Sequence, residues 1–145
     1  MITDANLQLS SAQAVTATAF STNTIDLSVA RDIGTGEDLD IHVSVDTTCT
    51  AAGGATVQFQ VVTSANANLS SPTIINETDA IPIATLVAGH RLELEIPAQI
   101  GSNGQRYLGL QYTVATGPLT AGAFSATIAL DVEDRKTYAS GFTVA

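Results

Sequence analysis

The sequence predicts an all-β fold: a single antiparallel β-sandwich of jelly-roll type. Three observations carry this. Apolar residues recur with period two in several stretches, as half-buried strands require. The composition is rich in Val, Ile and Thr, with 20 Thr, 11 Val and 11 Ile in 145 residues and no Trp, a mix that fits pleated sheet better than helix. Turn signals fall at short intervals: Gly34-Thr35-Gly36, Ala51-Ala52-Gly53-Gly54, Ser70-Ser71-Pro72, Gly101-Ser102-Asn103-Gly104, Thr116-Gly117-Pro118 and Thr120-Ala121-Gly122. Eight to ten short strands broken so often point to a sandwich or jelly roll, and the length suits one domain.

Taken in order, weaker strands are expected at Asn6–Leu9, Val15–Phe20 and Ile25–Ser28. Ser10–Phe20 is Ala-rich, but its Thr and Val content favours strand over helix. The first strong strand is Asp38–Val45, with Leu39, Ile41, Val43 and Val45 inward and Asp38, Asp40, His42 and Ser44 outward. Next, Val57, Phe59 and Val61 alternate with Thr56, Gln58 and Gln60. Short strands are expected at Thr73–Asn76 and Ile81–Ala84, and one helical turn fits Thr85–His90. Arg91–Ile96 directs Leu92, Leu94 and Ile96 inward and Arg91, Glu93 and Glu95 to solvent. Leu108, Leu110, Tyr112 and Val114 form one face of the next strand. Phe124, Ala126, Ile128, Leu130 and Val132 form that of the last. The expected core is Leu39, Ile41, Val43, Phe59, Leu92, Leu94, Leu108, Leu110, Phe124, Ile128 and Leu130. The sandwich is expected over 1–133. Residues 134–145 form a C-terminal arm or a last edge strand of the same domain.

Charge narrows the function classes. Fourteen acids against five bases leave a net charge of −9, the wrong sign for phosphate backbones or anionic membranes. Only 13% of residues are charged, about half the usual share, so the surface is largely neutral. The N-terminus lacks the basic and apolar regions of a signal peptide, and no apolar run approaches the length of a membrane span. The sequons Asn68-Leu69-Ser70 and Asn76-Glu77-Thr78 read as chance matches in polar loops.

No catalytic constellation stands out. His42 and His90 are the only imidazoles, read as surface residues on a strand and at a turn. No Ser lies in a G-x-S-x-G elbow. Cys49, the single cysteine, sits just past a strand end with no cation near it in sequence, and reads as an inert small thiol. Asp32, Glu37, Asp38 and Asp40 surround a Gly-rich turn that has the oxygen ligands of a Ca²⁺ loop but not EF-hand spacing; they read as solvated charge. Glu93 and Glu95 share one outward face, as paired glycosidase carboxylates would, yet few aromatics are available to stack a sugar. No phosphate-cradling Gly loop is present. The expectation is a protein without enzymatic activity, cofactor or metal, working as a structural or binding module.

A series of short strings runs through the chain: Met1-Ile2-Thr3-Asp4, Leu9-Ser10-Ser11-Ala12-Gln13-Ala14, Ser21-Thr22-Asn23, Ile25-Asp26-Leu27 and Ala30-Arg31-Asp32-Ile33-Gly34. Later come Ala51-Ala52-Gly53-Gly54-Ala55-Thr56, Ser70-Ser71-Pro72, Arg106-Tyr107-Leu108-Gly109-Leu110-Gln111-Tyr112 and Tyr138-Ala139-Ser140-Gly141-Phe142. In order and spacing they resemble the cement (decoration) proteins of tailed, mostly short-tailed, bacteriophage capsids. The resemblance implies a jelly-roll sandwich, usually a homodimer though trimers occur in other families. It implies binding to the outside of a shell of major capsid protein and bracing of neighbouring subunits, so the expected location is the outer surface of the virion. It implies no catalytic residues. The alternative is a carbohydrate- or receptor-binding sandwich on a virion or cell surface, since jelly rolls also serve as lectins.

The arm holds two of the five basic residues, Arg135 and Lys136, and two of the seven aromatics, Tyr138 and Phe142. Aromatic side chains bury large area at interfaces. These four residues are therefore the expected contact with a dimer mate or the capsid, against the simpler reading of an edge strand on its own domain.

Overall fold

The computed structural model describes residues 4–30, 39–97 and 103–130. It is an antiparallel β-sandwich. The strands are β1 (Gln8–Ala14), β2 (Ala19–Phe20), β3 (Ile25–Asp26), β4 (Leu39–Ala51), β5 (Thr56–Ser64), β6 (Thr73–Glu77), β7 (Ile81–Pro82), β8 (Arg91–Ile96), β9 (Tyr107–Ala115) and β10 (Leu119–Leu130). A four-stranded sheet runs β1-β10-β4-β8. A six-stranded sheet runs β2-β9-β5-β6, with β3 also on β9 and β7 also on β5. Counting β2 with β3 and β6 with β7 as interrupted strands, this is the eight-strand jelly-roll order: first strand beside last, second beside second-to-last.

The alternation read from the sequence sets the inner faces. Ile41, Val43, Phe59, Leu94, Leu108, Leu110, Phe124 and Ile128 are buried core. Leu39 and Leu92 are only partly buried and pack at its margin, because they sit where β4 and β8 meet the sheet's periphery. The side chain of Leu130 lies outside the described residues. At the centre Phe59 meets Tyr112 and Phe124 edge-on, at ring centroid distances of 5.7 and 5.2 Å. Tyr112 and Phe124 stack at 5.3 Å. These are the favoured aromatic geometries.

Several local expectations change. Residues 5–7 form a 3-10 turn capped by Asp4, whose carboxylate accepts from Asn6 N–H. The expected strand Val15–Phe20 is instead a turn followed by the two-residue β2. Val15 N–H donates to Gly122 O, and Thr16 O accepts from Leu119 N–H, so the backbone leaves the ladder to tie down the start of β10. The sequence 83–90 makes successive tight turns, Leu86 N–H to Ile83 O and His90 N–H to Val87 O, without a helix. Cys49 lies inside β4, which runs six residues beyond the expected end. In β1, register shifts on either side of Ser10 bury Leu9 and Ser10 in succession. Buried Leu69 was expected in a polar loop. The loop is held by Ser64 Oγ, which donates to Ser70 O and accepts from Asn66 N–H. Gly109 gives Leu69 its space, since a Cβ there would collide with Leu69 Cδ1.

Neither sandwich seam offers an open strand edge along its whole length. Asn23 N–H donates to Leu9 O and Asn23 Nδ2 to Gln8 O on the outer side of β1. Asn76 Nδ2 donates to Glu95 O on β8. Covered edges resist strand-to-strand association.

Candidate functional site

Among the described residues, the outer face of the four-stranded sheet carries a partly enclosed polar surface. In an antiparallel sheet, directly opposed residues on one face form rows across the strands. Here Gln8 opposes Thr127, Thr127 opposes His42, and His42 opposes Glu93. The next row is Ser125, Ser44 and Arg91; the row on the other side is Ala129, Asp40 and Glu95. A cavity of about 320 Å³ opens over this face, lined by Gln8, His42, Ser44, Arg91, Ser125, Ala126 and Thr127.

Outward direction and exposure part company here. The His42 and Glu93 side chains are 8% and 6% exposed, with Nδ1 and Oε1 4.0 Å apart, and Thr127 is 8% exposed. Both His42 and Glu93 were expected in solvent. The strand period correctly placed them opposite the core, but burial of an outer face depends on what crosses it, which no local pattern records. His90, at its turn, is half-buried.

Ser125 Oγ donates to Asp46 Oδ2 at 2.6 Å and accepts from Ala12 N–H, so this hydroxyl is committed to a carboxylate and a backbone amide. Cys49 is buried, and burial pushes its thiol pKa up, the opposite of nucleophile activation. Among the described residues no three His, Cys, Asp or Glu side chains gather as metal ligands. Asp32, Glu37 and Asp38 of the acidic turn lie outside the described residues, as do Arg135, Lys136, Tyr138 and Phe142. Glu93 and Glu95 share the outer face as expected, but Glu93 is secluded and Glu95 exposed.

At the opposite margin, Arg106 makes a two-pronged ion pair with Asp26, both contacts 2.8 Å. The guanidinium holds the Asp26 pKa down at about 2, and Arg106 also lies over the Tyr107 ring at 5.0 Å. This pair fastens β3 to the start of β9. No helix among the described residues is long and apolar enough to cross a membrane.

The family model that matches the chain is Bbp16, over residues 9–128. The chain belongs to the Bbp16 family. The matched stretch runs from Leu9 in β1 to Ile128 in β10, so the Bbp16 match takes in the jelly roll from first strand to last and the polar face with it, apart from Gln8 and Ala129. No curated protein is similar enough to this Bbp16 protein to count as a relative.

Proposed function

We propose that the protein is a structural virion component: a cement protein that binds the outside of a tailed-phage capsid, contacts the major capsid protein and stabilises the shell. The observation that carries this reading is the strand order. The sheets β1-β10-β4-β8 and β2-β9-β5-β6 make the jelly roll that the resemblance to cement proteins implies. Fold alone does not decide function; the character of the surface adds to it. The tied edges of β1 and β8 leave faces and loops, rather than strand addition, as the means of contact. Exposed apolar anchors stand at the loops and on the six-stranded sheet: Val29, Ile74 and Val87, 57%, 45% and 47% exposed. Contacts of this size are individually weak. A homodimer that straddles two capsid subunits gains affinity from the effective concentration of its second contact. No enzymatic step, cofactor, nucleic acid or membrane enters this reading.

The test is co-pelleting of the purified protein with expanded, DNA-free capsids that lack it. Saturable binding is expected, together with raised resistance of the shell to heat. No binding to such capsids, combined with selective retention on a glycan array, would replace this reading with a carbohydrate-binding module. Among the described residues that line the cavity over the four-stranded sheet there is no Phe, Tyr or Trp to stack a sugar ring.

A further inference from the structure

The two arginines among the described residues are used differently. Arg106 is committed to Asp26 through two contacts of 2.8 Å. Arg91 has no acid within ion-pairing distance and no side-chain hydrogen bond among the described residues, in a chain with fourteen acids to choose from. Instead it lines the cavity of about 320 Å³ over the four-stranded sheet. Directly opposite it on β4 stands Ser44, whose hydroxyl makes one long contact, 3.5 Å to Asp46 Oδ1. At the other end of the cavity is Gln8 on β1. Its carbonyl accepts from Asn23 Nδ2, while its side-chain amide has no partner among the described residues. Two long side chains with donors to offer therefore meet over one polar hollow.

We propose that this cavity binds an acidic residue of a peptide segment, with its carboxylate on the Arg91 guanidinium and Ser44 Oγ and a neighbouring main-chain amide on the Gln8 side chain. The guanidinium fork matches a planar carboxylate with two parallel hydrogen bonds. Charge selects the carboxylate over phosphate. Asp46 accepts from Ser125 Oγ and Ser44 Oγ, and both serines line the cavity, so one negative charge already stands beside it. A single carboxylate balances the single guanidinium, whereas a dianion adds a second charge that nothing among the described lining residues offsets. Size selects a residue over a bare anion. The volume lies near the lower end of small-ligand pockets, roughly 300 Å³. The strands that carry Arg91 and Gln8 are the two outer ones of the sheet, three strand spacings or about 14 Å apart. A carboxylate held at one end leaves the amide of Gln8 facing the peptide group that bears it. The site stands whether or not the protein binds a capsid.

Titration of the intact, nitrogen-15-labelled protein with N-acetyl-glutamate N-methylamide tests the proposal, read by NMR at Arg91 Nε–H, the Gln8 side-chain amide and the Ser44 amide. The neutral twin, N-acetyl-glutamine N-methylamide, differs from the probe in charge alone. Saturable shifts at all three groups are expected with the acidic probe, and binding of the neutral twin should be weaker by roughly tenfold or more, a decade in the dissociation constant. Acetate should shift Arg91 and Ser44 but leave the Gln8 amide in place. Arg91→Gln should weaken the acidic probe by a similar factor, and an unreactive Cys49 shows that the variant remains folded. No saturable shift, equal affinity for the two probes, or tighter binding of inorganic phosphate than of the acidic probe would overturn the proposal, and each is measured on the wild-type protein. Undiminished binding by the folded Arg91→Gln variant would overturn it as well.

Discussion

Tyr112 Oη donates a 2.8 Å hydrogen bond to Ser10 Oγ, joining β9 to β1 across 102 residues of sequence in the middle of the core. The relay continues: Ser10 Oγ donates to Gln13 Oε1, which also accepts from Thr22 N–H, and Gln13 Nε2 donates to Phe20 O. One buried phenol thereby organises the first turn of the sandwich. Fully satisfied buried networks of this kind specify a unique arrangement.

Burial pushes the Tyr112 pKa up to about 12 from an ordinary 10. The unfolded chain releases this proton near pH 10 and the folded chain holds it until about pH 12. The unfolded state therefore binds fewer protons in that window, and stability falls as pH rises through it, by up to about 3 kcal/mol. Tyr112→Phe should cost about 1 kcal/mol at neutral pH through the lost hydrogen bond. It should also flatten the decline between pH 10 and 12. Urea midpoints of both proteins across that range check the two effects together.

Leu110 is wholly buried on the inner face of β9, opposite Val61. Leu110→Ala should destabilise the protein by roughly 2–5 kcal/mol, read as a shift of the denaturant midpoint at unchanged slope. A midpoint equal to wild type would place Leu110 on the wrong face.

Cys49 Sγ lies 2.9 Å from where a Cβ on Gly122 would stand. Gly122→Ala should cost about 1–3 kcal/mol by overpacking. Cys49→Ala should recover part of that loss, a non-additivity that a double-mutant cycle measures. In the wild type, native-state alkylation of Cys49 should be slow and should track unfolding, because the thiol is buried and its ionisation suppressed.

If the protein cements a shell through neutral and apolar contacts, salt should matter little, since screening acts mainly on exposed charges. Capsid co-pelleting should persist well above physiological ionic strength. Release by NaCl would point instead to a charge-led contact.

Fold class was legible in the sequence because strand burial has a strict period. Ile41, Val43 and Val45 in β4, and Leu108, Leu110 and Tyr112 in β9, announce one apolar face each, and two such faces require a sandwich. Positions governed by contacts distant in sequence were not legible. Ser10 turns inward only because register shifts in β1 allow it, and its partner is 102 residues away. Leu69 sits among Asn and Ser, with no apolar neighbour to betray that its loop folds over Gly109. His42 and Glu93 carry the alternation of solvent-facing residues, yet they are secluded.

The sequence by itself determined that the chain is a β-sandwich, which alternating residues face its core and that its charge is acidic, because each follows from local period or composition. Tertiary structure alone decided the jelly-roll strand order, the tying of the β1 and β8 edges, and the assembly of Gln8, Thr127, His42 and Glu93 into one row. Strand pairing places residues side by side according to register, and register joins segments that have no neighbourhood in the chain.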